Sequence, residues 1–450
     1  MTTGPAAAPV DPADAETGGL RTGLRRIGAN AGWLLLARGF QAVLSIAYLA
    51  IATRTLGVAD FGRFALILAI GQGIAGIVGF QTWQFVVRYG TQAQLDGDEP
   101  GVARIISFAA ALDVAAAIVG TLVALAAIVA LGPLLELPRE LYRASFGFCF
   151  AMLIAIRSTP TGVLRLDQRF RAAAFADSVL PSVRAAGAVL AMLAFPTVTG
   201  FLWAWAIAEL ATSAAYWWTA LRGRRLALAP SGLRRVIRDD PALWRFVLVT
   251  NLSATLTLTS KQVSLIVVGA YGGPAAAGVF RVAAQLAQAL AKATQTFSRA
   301  AYAELVRAFA GGSDRNLLIQ LTAIAGLVAV AMVGVAALFG QPILRLIASR
   351  EFSGAYLPVI VLVAAGSLDL LGFAFEPTMT ARGQAGAAFR LRLAAIGVQT
   401  ALLFALLPRF GVIGGAWATF AGSLVAVMLM GRAVFRNASP GRPVDRPSPP

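Results

Sequence analysis

Twelve apolar runs, each long enough to cross a lipid bilayer as a helix, follow one another along the 450-residue chain. A hydrocarbon core of about 30 Å requires roughly 20 apolar residues in helical conformation. The runs lack the alternation of apolar and polar positions that is typical of strands, and a helix satisfies its own backbone hydrogen bonds inside lipid. The sequence therefore predicts twelve transmembrane helices, which lie near residues 33–53, 62–87, 105–131, 143–160, 174–195, 199–220, 244–270, 277–299, 317–340, 355–377, 389–408 and 412–433.

The composition agrees with this pattern. Hydrophobic residues make up 58% of the chain and charged residues 13%, whereas a soluble domain carries about 25% charged residues. A chain so poor in charge cannot cover itself with a polar surface, so we expect an all-α integral membrane protein. The chain has no histidine and one cysteine, Cys149, which excludes disulfides within the chain and cysteine-based zinc or iron–sulfur sites. No metal site and no cofactor are expected.

The distribution of the arginines predicts how the helices are oriented. The net charge is +17, which in a soluble protein would suggest nucleic acid as a partner. With a cytoplasmic N-terminus, the segments on the cytoplasmic side hold 25 basic residues and the outer loops hold 7. Basic residues accumulate on the cytoplasmic side of membrane proteins. We therefore expect both termini in the cytoplasm and no nucleic-acid partner.

The longest basic connection, residues 221–243, divides the predicted helices into two groups of six. Motifs recur in the same order on both sides of it: Gly62-Arg63-Phe64 matches Gly278-Val279-Phe280 at an offset of 216 residues. Two parallel repeats around a central cavity are one architecture of alternating-access transporters. We predict a disordered cytoplasmic N-terminus at 1–28, six-helix bundles at 29–220 and 244–434, and a disordered Pro-rich cytoplasmic tail at 435–450.

One face of the predicted eighth helix is polar over almost the whole thickness of the bilayer. At 100° per residue its six polar side chains fall within an arc of about 80°, along roughly 27 Å. A lysine facing lipid would cost about 3 kcal/mol, so this face is expected to line a cavity. Arginines at its two ends could instead extend to the membrane surfaces, but a lysine in the middle cannot. The six residues are Arg281, Gln285, Gln288, Lys292, Gln295 and Arg299.

The first helix carries a weaker polar face, and the seventh helix is dense in polar residues that point to the same cavity. The equivalent face of the second helix consists mostly of small residues, so the cavity is expected to be asymmetric. Cations suit an anionic group, and amides suit sugar hydroxyls. The predicted cavity cations are Arg38, Lys261, Lys292 and Arg281, and the predicted polar lining residues are Gln41, Asn251, Gln262, Gln285, Gln288 and Gln295.

Acidic residues also lie within the predicted helices, and two interpretations are open. One is structural pairing, in which Asp177 and Arg184 influence each other along one helix face and Arg157 neutralises an acid. The other is a site that couples transport to protons or sodium, for which Asp369 and Glu376 are the best candidates. The five intramembrane acids are Asp113, Asp177, Glu209, Asp369 and Glu376.

The stretch IATRTLGVADFGRFALILAI, residues 51–70, resembles the junction of the first two helices in the polysaccharide flippases. These belong to the multidrug/oligosaccharidyl-lipid/polysaccharide (MOP) superfamily. The similar pattern consists of Leu56-Gly57, Asp60, Phe61-Gly62 and Phe64. The six-plus-six layout extends the resemblance over about residues 30–435, and the turn at 408–416 is similar as well. The resemblance implies export of an undecaprenyl-diphosphate-linked oligosaccharide across the bacterial inner membrane.

The resemblance also implies partners and residue roles. The partners would be the lipid-linked oligosaccharide, the membrane lipids, and the glycan polymerase and glycosyltransferases that act after and before export. Cationic residues of the cavity would meet the pyrophosphate, a role that by residue type suits Arg38, Lys261 and Lys292.

Two other functions remain open. A cation-coupled multidrug exporter of the same superfamily would favour an acidic cavity, because its substrates are often cationic. A membrane glycan polymerase or glycosyltransferase would need catalytic carboxylates beside large loops, but the longest internal loop has about 23 residues. Neither lysine follows a glycine, so the chain has no ATP-binding P-loop. We therefore expect a transporter rather than an enzyme.

Overall fold

The structure is a computed structural model that describes residues 12–222, 259–291, 314–372, 375–381 and 384–436. Within these ranges, the side chains of 12–40, 42, 314–322, 324, 377, 380–381 and 385 fall outside the described set. The helices are α1 Pro12–Val78, α2 Thr82–Leu95, α3 Glu99–Leu131, α4 Arg139–Ile154, α5 Ser158–Leu166, α6 Phe170–Ala194, α7 Val198–Leu221, α8 Thr259–Ala291, α9 Asp314–Ile347, a 3-10 helix Arg350–Ala355, α10 Tyr356–Leu371, α11 Phe375–Ala381 and α12 Ala385–Arg436.

Nine stretches of the described residues are long and apolar enough to cross a membrane, and no strand occurs among these residues. The all-α membrane fold class is therefore confirmed. Three of the stretches contain a glycine with positive φ, namely Gly57 at +70°, Gly273 at +73° and Gly411 at +58°. Glycine adopts this conformation without steric cost, so each marks a bend at which two helices meet. The count of twelve transmembrane helices stays a prediction, because 223–258 and 292–313 lie outside the described residues.

Two of the predicted transmembrane helices are interrupted, which corrects the prediction of continuous spans at 62–87 and 143–160. The first is divided at 79–81, between α1 and α2, and the second at 155–157, between α4 and α5. Irregular backbone at membrane depth is tolerated where it is buried in protein or lines a cavity. Both breaks line a cavity in the first half of the molecule, by which we mean the described residues up to 222; the second half comprises those from 259 onward.

Pro160 gives a physical reason for the second break. Proline has no N–H, so it cannot donate to the carbonyl of Ile156, four residues before it. That carbonyl instead accepts hydrogen bonds from Ser213 Oγ at 2.7 Å and from Trp217 Nε1 at 3.1 Å. Side chains of α7 therefore supply the donors that the helix itself cannot provide.

The chain ends differ from the prediction at one point. Residues 1–28 were predicted to be disordered, but α1 is helical from Pro12 onward. The segment before residue 29 is polar, so the apolar pattern gave no sign of a helix there. In the structure, the helix of the first transmembrane span also includes this polar segment from Pro12 onward. The predicted linker at 221–243 lies outside the described residues except for its first two positions, as does the tail after Arg436.

The two halves of the molecule cross at a pair of glycines. A Cβ atom on Gly62 would lie 1.7 Å from the carbonyl oxygen of Pro274, and one on Gly278 would lie 2.4 Å from that of Val58. Neither distance is sterically possible, so only glycine fits at either position. The offset of 216 residues relates Gly62 to Gly278 and Val58 to Pro274. The two close contacts are thus equivalents of each other under the predicted repeat, and the repeat itself stays a prediction.

Polar contacts join the halves next to this crossing. Thr53 Oγ1 donates to the carbonyl of Ile347 at 2.9 Å, and the Val58 N–H donates to Glu351 Oε2 at 3.1 Å. In the predicted orientation the bend of α1 at Gly57 faces the outside of the cell. We call the region around this bend the outer end of the molecule, and there the two halves are closed against each other.

Candidate substrate crevice

A narrow crevice lies between the two halves, close to the glycine crossing. Its free volume is about 20 Å³, which is room for a single water molecule. The crevice therefore has to widen before it can hold a larger ligand. Its walls are Tyr48, Leu49, Ala52, Phe61, Phe64, Ala65, Leu68, Arg184, Trp205, Arg281 and Gln285.

Glu209 on α7 is a buried carboxylate that two guanidinium groups share. Its side chain is 4% exposed, with Oε1 2.6 Å from Arg184 Nη2 and Oε2 2.8 Å from Arg157 Nη2. Arg184 lies on α6 and lines the crevice, whereas Arg157 lies in the break between α4 and α5. A buried charge is costly unless it is paired. Glu209 therefore holds both arginines in place, and together the three side chains keep one positive charge in excess.

Aromatic rings hold the Arg184 guanidinium on its other side. Its central carbon lies 5.5 Å from the ring centroid of Trp205 and 6.0 Å from that of Tyr48. The two rings pack edge to face with their centroids 5.1 Å apart. Ring faces attract a cation without neutralising it. Arg184 is thus fixed in position while its charge remains available to a ligand.

Arg281 reaches the same crevice from the second half. It interacts electrostatically with Arg184 and Tyr48, and within the described part of the chain it has no carboxylate partner. One helical turn further along α8, the Oε1 atom of Gln285 is buried and accepts no hydrogen bond from a described residue. The three guanidinium groups, of which Arg157 lies beside the crevice and not in its wall, leave two positive charges in excess over the carboxylate of Glu209. This arrangement suits a ligand group with two negative charges.

The structure places two of the predicted polar residues, Arg281 and Gln285, in the crevice. Gln262 packs at the interface, with its Cβ 3.5 Å from the position of a Cβ on Gly73. Gln41 is half-buried, and Lys261 and Gln288 are exposed. Gln288 shares a helix face with Arg281 but does not line the crevice, because the crevice extends along only about one turn of α8. The remaining predicted residues lie outside the described side chains: Arg38, Asn251, Lys292 and Gln295.

The predicted coupling acids of the second half both have neighbours. Glu376 Oε2 lies 2.7 Å from Arg392 Nη2, which favours structural pairing for this residue. Asp369 is exposed, interacts with the Ser423 hydroxyl, and lies in the electrostatic field of Lys261 and Arg392. A role of Asp369 and Glu376 in ion coupling stays a prediction.

The proposed pairing of Asp177 with Arg184 is wrong. Asp177 accepts a hydrogen bond from the Tyr216 hydroxyl, and Arg184 pairs with Glu209. Both partners lie on α7, whose side chains approach α6 more closely than residues two turns apart on α6 approach each other. The expectation that Arg157 neutralises an acid is confirmed by its ion pair with Glu209.

Sequence reasoning missed Arg184, Trp205 and Tyr48 as a unit of the crevice. These residues belong to three helices of the first half, and their spacing along the chain shows no common face. The prediction of an asymmetric cavity compared the small residues of the second helix with the cationic face of the eighth, and placed no cation of the first half beside the crevice. The available signal was Glu209 itself, because an acid inside an apolar run requires basic partners from neighbouring helices.

Comparison with known proteins agrees with this architecture. The sequence pattern of the family described as polysaccharide biosynthesis protein matches residues 27–302. The inner membrane protein YghQ of Escherichia coli K12 is 28% identical over 337 residues, which are 74% of this chain and 95% of that protein.

Solved structures share the fold at low sequence identity. An inward-facing multidrug resistance MATE family transporter of the MOP superfamily superposes with a TM-score of 0.65 at 16% identity, covering 88% of this chain and 94% of that one. The lipid II flippase MurJ in an inward closed conformation gives 0.63 at 13% identity, covering 89% and 87%. The chain has the fold of these membrane transporters, and by its sequence it belongs to the polysaccharide biosynthesis protein family.

Proposed function

We propose that this protein is a flippase that moves a lipid-linked oligosaccharide, joined to its lipid by a diphosphate, from the cytoplasmic to the outer leaflet of the bacterial inner membrane. One observation carries the proposal. Arg184 and Arg281 approach the same crevice from opposite halves, with two positive charges in excess. A diphosphate diester carries two negative charges, and guanidinium groups bind phosphate oxygens in pairs.

The position of the two arginines gives a mechanism of alternating access. A diphosphate bound to both would bridge the halves, so binding would influence how the halves sit relative to each other. In the present conformation the outer end is closed by the contacts of Thr53 and Val58. The passenger would therefore enter from the cytoplasmic side, where Arg38 and Lys292 are proposed to extend the cationic surface. The lipid tail would stay in the bilayer during the passage.

The energetics permit such transport without ATP. Moving one elementary charge through 100 mV changes the free energy by about 2.3 kcal/mol. Two negative charges that leave a negatively charged cytoplasm would gain about 4–5 kcal/mol at this potential. The membrane potential alone would then favour outward movement, and ion exchange could add to it.

The relatives support the proposed class of passenger and the location. One structural relative is a flippase for lipid II, and a sequence relative is an inner membrane protein. With the 25-to-7 distribution of basic residues, both termini would lie in the cytoplasm. Glycosyltransferases and a glycan polymerase would act before and after this step.

The test is glycan export in a strain that lacks the gene, complemented with variants at matched membrane levels. We expect the amount of exported glycan to fall at least tenfold in the double variant Arg184→Gln, Arg281→Gln, because both diphosphate partners are removed. Arg143→Gln is the matched control, since Arg143 is exposed on α4. Full complementation by the double variant would reject the cationic-crevice mechanism. Drug sensitivity of the deletion strain with unchanged glycan would instead identify a multidrug exporter.

A further inference from the structure

A second cavity, with a free volume of about 350 Å³, lies entirely within the first half. Both helix breaks, at 79–81 and 155–157, line it. Sites for small organic ligands measure about 300–1,000 Å³ and combine mostly apolar walls with a few polar groups. The cavity meets this description, because aliphatic and aromatic side chains share its wall with Gln81, Asp113 and Arg157.

Trp83 contributes an aromatic ring to the wall, and neighbouring residues hold this ring in place. Its backbone N–H donates to Ser158 Oγ at 3.1 Å, and its Nε1–H donates to Gln81 Oε1 at 2.8 Å. The central carbon of the Arg165 guanidinium lies over the ring, 4.0 Å from its centroid. The electron-rich face of an aromatic ring attracts C–H groups that carry a partial positive charge, such as those of a sugar. The ring is thus preorganised for such a ligand.

Two side chains of the wall offer hydrogen-bond donors. Because Oε1 of Gln81 accepts from Trp83, the amide nitrogen is left to donate, and it has no acceptor among the described residues. Arg157 uses its Nη2 for Glu209, and its side chain is 36% exposed. A guanidinium group has five N–H donors, so Arg157 can bind Glu209 and a ligand oxygen at the same time.

Asp113 offers an acceptor and is 7% exposed. Its Oδ2 accepts hydrogen bonds from Thr159 Oγ1 at 2.6 Å and from the Thr159 N–H at 3.1 Å. Its Oδ1 has a single neighbour among the described residues, the Thr82 hydroxyl at 2.9 Å, which it shares with Oδ2. Oδ1 can therefore accept from a ligand hydroxyl. One carboxylate and one guanidinium leave the wall without net charge, which suits a neutral ligand better than an ion.

We propose that this cavity binds a neutral sugar ring, namely the part of the passenger's oligosaccharide next to the diphosphate; the inference rests on the proposed flippase function. A sugar ring has an apolar C–H face and a rim of hydroxyls that both donate and accept. The Trp83 ring matches the face, and the groups of Gln81, Arg157 and Asp113 match the rim. The cavity is thus the part of the protein that recognises the glycan, whereas the crevice binds the diphosphate common to all such passengers.

The cavity and the crevice are neighbours, although no described residue lines both. Arg157 lines the cavity and Arg184 lines the crevice, and the two bind different oxygens of the same Glu209 carboxylate. Only this carboxylate separates the sugar site from the diphosphate site. The crevice has to widen before it binds the diphosphate, but the cavity is already open. The sugar can therefore be recognised before the halves move.

The test uses the purified full-length protein in lipid nanodiscs and two soluble probes that carry no lipid. The first is a set of sugars: glucose, galactose, mannose, N-acetylglucosamine, N-acetylgalactosamine and the hydrolysed surface glycan of the parent strain. Saturation-transfer NMR, with empty nanodiscs as the blank, records their binding. The second probe is inorganic pyrophosphate, followed by phosphorus NMR, which reports on the crevice. We expect saturable binding of at least one sugar and of pyrophosphate.

Variants assign the sugar binding to the cavity. In Gln81→Ala the apparent sugar affinity should fall about fivefold, because one hydrogen bond is lost. In Trp83→Leu it should fall about tenfold, because the aromatic face is lost, and Trp83→Phe should restore part of it. Gln94→Ala is the matched control and should bind as the wild type does, since Gln94 is exposed on α2. If Trp83→Leu does not fold, Gln81→Ala and Trp83→Phe still decide the assignment.

Two results would overturn the sugar site. One is the absence of saturable binding for every sugar of the set, whether or not pyrophosphate binds. The other is a sugar affinity of Gln81→Ala and Trp83→Leu equal to that of Gln94→Ala. Pyrophosphate binding without sugar binding would reject the sugar site and leave the proposed function in place. Sugar binding without pyrophosphate binding would support the sugar site and reject the diphosphate crevice.

Discussion

The crevice and the first-half cavity differ in charge, size and position. The crevice lies between the halves, is almost closed at about 20 Å³ and carries an excess of arginine. The cavity lies within one half, measures about 350 Å³ and has a buried carboxylate in its wall. Groups that lie on different halves change their distance when the halves move relative to each other. Groups within one half can only stabilise that half. The comparison teaches that an arginine-rich crevice between the halves and a carboxylate-lined cavity within one half occupy different places in the same fold.

The largest effect is expected for Glu209→Gln, which acts on the crevice. The substitution leaves Arg184 and Arg157 without their shared carboxylate, and breaking a buried ion pair costs about 3–5 kcal/mol. The free energy of unfolding in detergent should fall by about this amount. Glu140→Gln, an exposed acid at the start of α4, is the control. A stability equal to that of the control would show that the arginines do not depend on Glu209.

Gly62→Ala is expected to have the next largest effect, at the crossing beside the crevice. The new methyl group would meet the Pro274 carbonyl oxygen at 1.7 Å, and overpacking of this kind costs about 1–3 kcal/mol. Gly397→Ala is the matched control, because α12 leaves open space around Gly397. An alanine there should stabilise the helix by about 0.5–1 kcal/mol. Equal melting temperatures of the two variants would contradict the close crossing.

Ser158→Ala acts on the first-half cavity and should have a smaller effect. It removes the acceptor of the Trp83 N–H and the donor to Phe80, and an unsatisfied partly buried group costs about 1–2 kcal/mol. Unfolding experiments should show this loss, while glycan export should keep its dependence on Arg184 and Arg281. A loss of this arginine dependence would show that the two sites are not separate.

Asp60→Asn is expected to change the stability least among these variants. Asp60 pairs with Arg63 three residues later, and its side chain is 46% exposed. Exposed ion pairs contribute less than about 1 kcal/mol. The melting temperature should therefore change little, which would confirm that burial, and not the number of ion pairs, makes Glu209 important. A destabilisation as large as that of Glu209→Gln would contradict this distinction.

The sequence predicted what depends on patterns along one helix. Apolar runs identified the membrane helices, and the polar face of the eighth helix identified Arg281 and Gln285. The offset of 216 residues paired Gly62 with Gly278, although it could not show that the two glycines touch. Each of these features is a property of local spacing.

What the sequence did not predict depends on contacts between helices. Arg184 was missed because its partner Glu209 lies on another helix, and Asp113 was noted only as one acid among five. The break at 155–157 interrupts a run that stays apolar on both sides, and only Pro160 marked it. The hydropathy of a segment indicates whether it lies away from water. It does not indicate which backbone groups form hydrogen bonds with a neighbouring helix.

At the crossing of Gly62 and Gly278, the nearest neighbours of both glycines are backbone atoms. Interlocked side chains would have to change rotamer before one helix could turn over another, and each such change adds to an activation barrier. Where backbone packs directly on backbone, two helices can rotate past each other with fewer such changes. For two halves that reorient during transport, the rate of reorientation would then be set by the breaking of hydrogen bonds such as that between Val58 and Glu351, and not by friction at the axis itself.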